Sequence, residues 1–138
     1  MNYNTVRTML DTQLATVSGL PPLYTENTRA TPTNGSPWAR ATLLPAEPNA
    51  LGVGPNGIDE HQGLYQIDLF YPQDYGTADA NAMAALVMAA LPRGFIVRSG
   101  TDNVQVTKSF QMTAYQQGNQ WYCVPVSLRW TSYHSASA

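Results

Sequence analysis

Apolar residues recur along the chain at two periods, and those periods divide it into elements. From Asn4 to Ser18, Val6, Met9, Leu10, Leu14 and Val17 fall three and four apart, which predicts an amphipathic helix ended by Gly19. "LPPLYTENTRATPTNGSP" then has no period and reads as an extended surface connection. Trp38 to Leu44 alternates and closes at Pro45, which cannot donate to a sheet ladder. Gly63 to Tyr71 alternates on both faces, with Tyr65, Ile67, Leu69 and Tyr71 opposite Leu64, Gln66, Asp68 and Phe70, the pattern of a central strand ended by Pro72.

The Ala-rich run "ADANAMAALVMAAL" predicts a second helix, with Thr77 or Asp79 as its cap and Ala82, Leu86 and Ala89 on one side. Its small residues allow close approach to its own sheet, the commoner case, or to a neighbouring subunit. The last third is β: "FIVRS", a "GTDN" turn, and Val104 to Tyr115 with Val104, Val106, Phe110, Met112 and Ala114 inward. After "QQGN", Trp121 to Trp130 returns as a hairpin partner, and Pro125 predicts an edge or a bulge there. The tail, 131–138, is expected to fray. The order is α-β-β-α-β-β-β, an α+β fold with a mostly antiparallel sheet and two helices on one face.

Between the first two strands lies "LPAEPNALGVGPNGIDEHQG", Leu44 to Gly63, with neither period. A compact domain rarely keeps so long a loop without a use for it. Doubled back, twenty residues reach roughly 30 Å, enough to touch a neighbour. Ordering each residue costs about 1–2 kcal/mol of backbone entropy, which few apolar side chains can offset. Residues 45–62 are therefore expected to be an extended arm that orders on an adjacent subunit or tube. Leu51, Val53 and Ile58 are its anchors, and Asp59 and Glu60 supply polar contacts at its base.

Composition narrows the function. The 138 residues, 15.1 kDa, suit one domain with a real core. Charged residues are 12%, about half the usual share, replaced by Thr, Gln, Asn and Ser. A net charge of −2 with seven scattered basic residues argues against gripping a phosphate backbone. No apolar run approaches a membrane span, and no secretory signal opens the chain.

No constellation for catalysis stands out. Asp59, Glu60 and His61 are the densest group of potential ligands, but the only other histidine is His134. Adjacent side chains seldom converge on one ion, so a solvated loop or subunit contact explains them better. Cys123, the only cysteine, sits between Tyr122 and Val124 in a strand and reads as a packed thiol. The glycines of "LGVGPNG" lack the Lys and Ser/Thr of a phosphate loop. Asp68 reads as a sheet carboxylate with Arg40 as its partner, and Arg93 and Arg98 as surface charges.

The "LLPAEP" exit from the first strand, the "GLYQIDLFYP" strand and the closing "WYCVPV" resemble the tail terminator proteins of long-tailed bacteriophages, over nearly the whole chain. That resemblance implies a virion protein without catalytic, metal or cofactor site, assembled in the bacterial host cytoplasm. It implies a homo-oligomeric ring, usually a hexamer, at the tail-neck junction. The ring would end tail tube polymerisation, offer a docking surface to the neck or head-completion protein, and let genomic DNA pass through its lumen without specific binding. A head-tail joining or stopper protein is the nearest alternative. A small enzyme or metal- or ligand-binding domain using Asp59, Glu60 and His61 with Asp68 is the alternative from another class.

Overall fold

The computed structural model describes residues 2–33, 35–118 and 120–135. Ten elements follow one another: α1 (Tyr3–Leu14), β1 (Leu23–Thr25), β2 (Trp38–Pro45), β3 (Asn49–Ala50), β4 (Ile58–Pro72), α2 (Ala78–Ala90), β5 (Ile96–Ser99), β6 (Asp102–Gln111), β7 (Tyr115–Gln117) and β8 (Trp121–Ser135). They build one sheet ordered β1-β2-β4-β8-β6-β5, with β3 added to β4 and β7 to β8. Only β1 runs parallel to its neighbour. The fold is α+β, and three short strands join those that alternation predicts.

Register explains where the core sits. Ala39, Leu69 and Val124 stand abreast across β2, β4 and β8, as do Ala41, Ile67 and Val126, and Leu43, Tyr65 and Leu128. These rows share one face, and Val6, Leu10 and Leu14 of α1 and Ala80, Met83, Ala84 and Val87 of α2 bury against it. Both helices thus cover the same side. On the reverse face Trp38, Phe70 and Cys123 form a small apolar cluster, with Trp38 stacked on Phe70 at 4.1 Å. Most of that face carries no helix.

Several boundaries differ from expectation. Helix α1 ends at Leu14, because Thr16 and Val17 bond back three residues and the Thr16 hydroxyl takes the Gln13 carbonyl. Ala82, Leu86 and Ala89 do share a side of α2, and it is the outward one. Thr77 holds the cap position without a side-chain bond. In β6 a register shift between Val106 and Lys108 inserts one residue. Every side chain beyond it changes face. Phe110 therefore stands opposite Ser127 on the uncovered side, Ser109 opposite Leu128 on the helix side, and Met112 is exposed.

Pro125 lies in a central strand, not at an edge. Its carbonyl accepts from Met112 N at 2.9 Å, so its missing donor also faces the β6–β7 side, where residues 112–114 leave the ladder. The largest difference is in the two longest strands. β4 begins five residues before Gly63 and β8 runs five past Trp130, and they pair throughout, from Ile58 opposite Ser135 to Pro72 opposite Trp121. The segment expected to fray is strand as far as Ser135, with Ser132 and His134 buried. Residues 136–138 lie outside the described residues.

Candidate assembly surface

The segment from Ala46 to Gln62 is a strand-built arm, and this overturns its reading as an irregular segment ordered only by a neighbour. Ala46 N donates to Gln62 O at 2.8 Å, Asn49 and Ala50 pair with Glu60 and Asp59, and Leu51 N donates to Ile58 O at 2.8 Å. Gly57 crosses so close to the Gly52 carbonyl that a Cβ there would overlap it. The sheet absorbs residues 58–62, so β4 carries Ile58 about 17 Å past Gly63, and the turn 51–57 caps the strand pair beyond it.

Leu51 is 59% exposed, Ile58 45%, and Val53 at the tip is fully exposed. Among the described residues these side chains stay largely open to solvent. Asp59 and Glu60, adjacent in a strand, point to opposite faces. Glu60 accepts from Asn49 Nδ2 at 3.3 Å and from the Tyr133 hydroxyl at 3.1 Å, bracing the arm. Asp59 instead shares the helix side with His61, opposite His134 and Ser132.

At the arm's root the rings of His61 and His134 meet edge-on at 5.9 Å, and Tyr3 of α1 lies 6.1 Å from His61 and 6.2 Å from Trp130. His134 Nε2 lies 3.0 Å from the Ser132 hydroxyl. Burial, then the neighbouring His134, holds His61 below the usual imidazole range, against the pull of Asp59. Among the described residues no three His, Cys, Asp or Glu side chains converge as metal ligands. Glu60 braces β3 and β8 through Asn49 and Tyr133, while His61 packs against Tyr3 and His134.

The other candidates are likewise occupied. Burial pushes the Cys123 thiol up to about 12, only partly offset by its hydrogen bond with Tyr115, so no thiolate nucleophile exists near neutral pH. Asp68 stands opposite Arg40 in register, yet its bond comes from Gln66 Nε2 at 2.9 Å. Arg40 lies over the Trp38 ring at 5.5 Å. Burial raises the Asp68 carboxyl above its ordinary range, against the Gln66 bond and the Arg40 charge. A surface depression of about 500 Å³ is bordered by the ion-paired Arg7 and Glu26.

A family model described as phage tail terminator protein matches residues 5–130. The chain belongs to the phage tail terminator family. Nineteen solved chains match it. One, a protein without a functional name, aligns at TM-score 0.71 and 24% identity over 96% of each chain, which speaks for the fold alone. No curated protein matches.

Terminator membership makes the chain a structural component of a phage tail, a virion part that associates with other tail or neck proteins. It points to a non-enzymatic role. Among the described residues no helix is long and apolar enough to cross a membrane. What sequence reasoning missed at the site was the pairing of "IDEHQ" with "TSYHS". The one available signal was that each segment continues a plain strand without a Gly or Pro break inside it.

Proposed function

We propose that this tail terminator forms a ring, of six subunits, on the head-proximal end of the tail tube, where it ends polymerisation and presents the docking surface for the neck. The observation that carries the reading is the arm. A hairpin braced by Glu60, Asn49 and Tyr133 holds Leu51, Val53 and Ile58 in solvent at one end of the molecule. Exposed apolar side chains on a pre-formed support are the mark of an interaction surface. We assign them to an adjacent subunit or to the tube, with Asp59 and Glu60 fixing the base.

Light scattering on the full chain tests the ring. Electron microscopy of tails incubated with the protein tests its position at the tube end. Leu51→Ser with Val53→Ser is expected to leave the monomer folded and weaken assembly. A strict monomer at high concentration, absent from tube ends, would defeat the proposal.

A further inference from the structure

The uncovered sheet face and the outward side of α2 carry opposite charge. By strand register the uncovered face holds four of the seven basic residues, Arg40, Arg98, Lys108 and Arg129, with two acids, Glu60 and Asp68. The remaining three basic and seven acidic residues lie elsewhere. A chain of net charge −2 therefore presents one basic face on an otherwise acidic body.

That face also has a pattern. Leu44 stands opposite Leu64, Leu64 opposite Arg129, and Arg129 opposite Lys108, so four strands present one row, apolar at one end and doubly cationic at the other. Like charges directly opposite are destabilising by themselves. Neither cation forms an ion pair among the described residues, where only Arg7 and Glu26 do. Leu44 is 43% exposed.

The outward stripe of α2 has the matching pattern. Asp79, Ala82, Leu86 and Ala89 follow at three- and four-residue steps, all exposed, with small residues between the acid and the leucine. Asp79 and Leu86 are about 10.5 Å apart along the axis. Arg129 and Leu44, two strand spacings apart, are separated by about 10 Å. A helix laid across the strands sets acid on cation and leucine on leucine at once.

We propose that the uncovered sheet face of one subunit receives the outward side of α2 from a second copy, Leu86 meeting Leu44 and Leu64 while Asp79 meets Arg129 and Lys108. The inference rests on the ring reading above and names the contact that would build it. Donor and acceptor surfaces differ, so the contact is head-to-tail and each subunit offers both halves. Such a contact closes into a ring or continues as a filament.

The test uses the full chain. Lys108→Glu with Arg129→Glu should convert the ring to species of 15.1 kDa, with an unchanged circular dichroism spectrum because both side chains are exposed. Adding Asp79→Arg to that double variant should restore ring mass. Leu86→Gln, on the other half of the contact, should weaken the ring without touching the cations. Rings that survive both the double variant and Leu86→Gln would overturn this contact while leaving the ring reading intact. A monomeric wild-type chain would remove both. Duplex DNA retained by wild type and lost by the double variant, with rings unaffected, would also overturn it and make the face a nucleic-acid surface.

Discussion

Asn103 bonds the backbone of Tyr133 as a strand neighbour would. Its carboxamide donates to Tyr133 O at 2.7 Å and accepts from Tyr133 N at 2.9 Å, beyond the last backbone pair between β6 and β8, Gln105 with Thr131. One side chain thus extends the ladder along the strand end that braces the arm. Asn103→Ala removes both bonds, a loss of about 1–2 kcal/mol at a partly exposed site. Hydrogen exchange at residues 131–135 should quicken while the centre of β8 keeps its protection. Unchanged exchange there would mean the backbone holds the end unaided.

Two glycines separate the stability of the body from that of the arm. A Cβ at Gly63 would overlap the Leu44 carbonyl and lie 2.9 Å from both Pro45 Cα and Trp130 Cζ2. Gly63→Ala should therefore cost about 3 kcal/mol, lowering the thermal midpoint by roughly 10 °C. Gly57→Ala strains only the tip against Gly52, so the midpoint should hold while assembly weakens. Calorimetry beside light scattering reads both, and equal midpoint losses would contradict the distinction.

Asp68 and His61 give opposite pH slopes. The folded Asp68 carboxyl is raised by burial, so the folded chain holds that proton at a pH where the unfolded chain has released it. Its contribution is unfavourable at neutral pH and fades with acidification into the carboxylate range. Asp68→Asn, which keeps an acceptor for Gln66, should raise the midpoint at pH 7, with the gain shrinking towards pH 4. A gain that grew with acid would reverse the assigned cause.

His61 is lowered, first by burial and then by His134. As pH falls below its ordinary value near 6.5, the unfolded chain takes up a proton that the folded chain resists. Stability from this group is full above that value and declines below it. His61→Gln should flatten that part of the pH–stability curve, measured by urea unfolding between pH 7.5 and 5. An unaltered slope would assign the acid sensitivity to other groups.

Cys123, raised to about 12 and fully buried between Phe70 and Tyr115, should resist iodoacetamide at pH 8 in the folded protein and react at once in denaturant. Rapid labelling of the native chain would show that this strand opens.

The central strands were legible because Ala39 to Leu43, Tyr65 to Leu69 and Val124 to Trp130 bury one face against helices, which imposes alternation on the sequence. The arm strands were not, since Asp59, His61, Ser132 and His134 pack polar groups on one another and leave no apolar period. With residues 58–62 read as loop, the parity that separates Asp59 from Glu60 disappeared. In β6 Lys108 interrupts the apolar series at the extra residue, and the series resumes in the same parity with its meaning reversed, which placed Phe110 and Met112 inside. Leu51, Val53 and Ile58 stood out simply as the large apolar residues of a polar stretch.

The unbroken pairing of β4 with β8 fixes the kind of element the arm is. Body and arm share two continuous fifteen-residue strands, so the tip has no swivel between itself and the core. It acts as a strut cast with the body. A subunit arriving at a growing assembly would find the tip already in position, and the ordering entropy would have been spent during folding, before any partner was met.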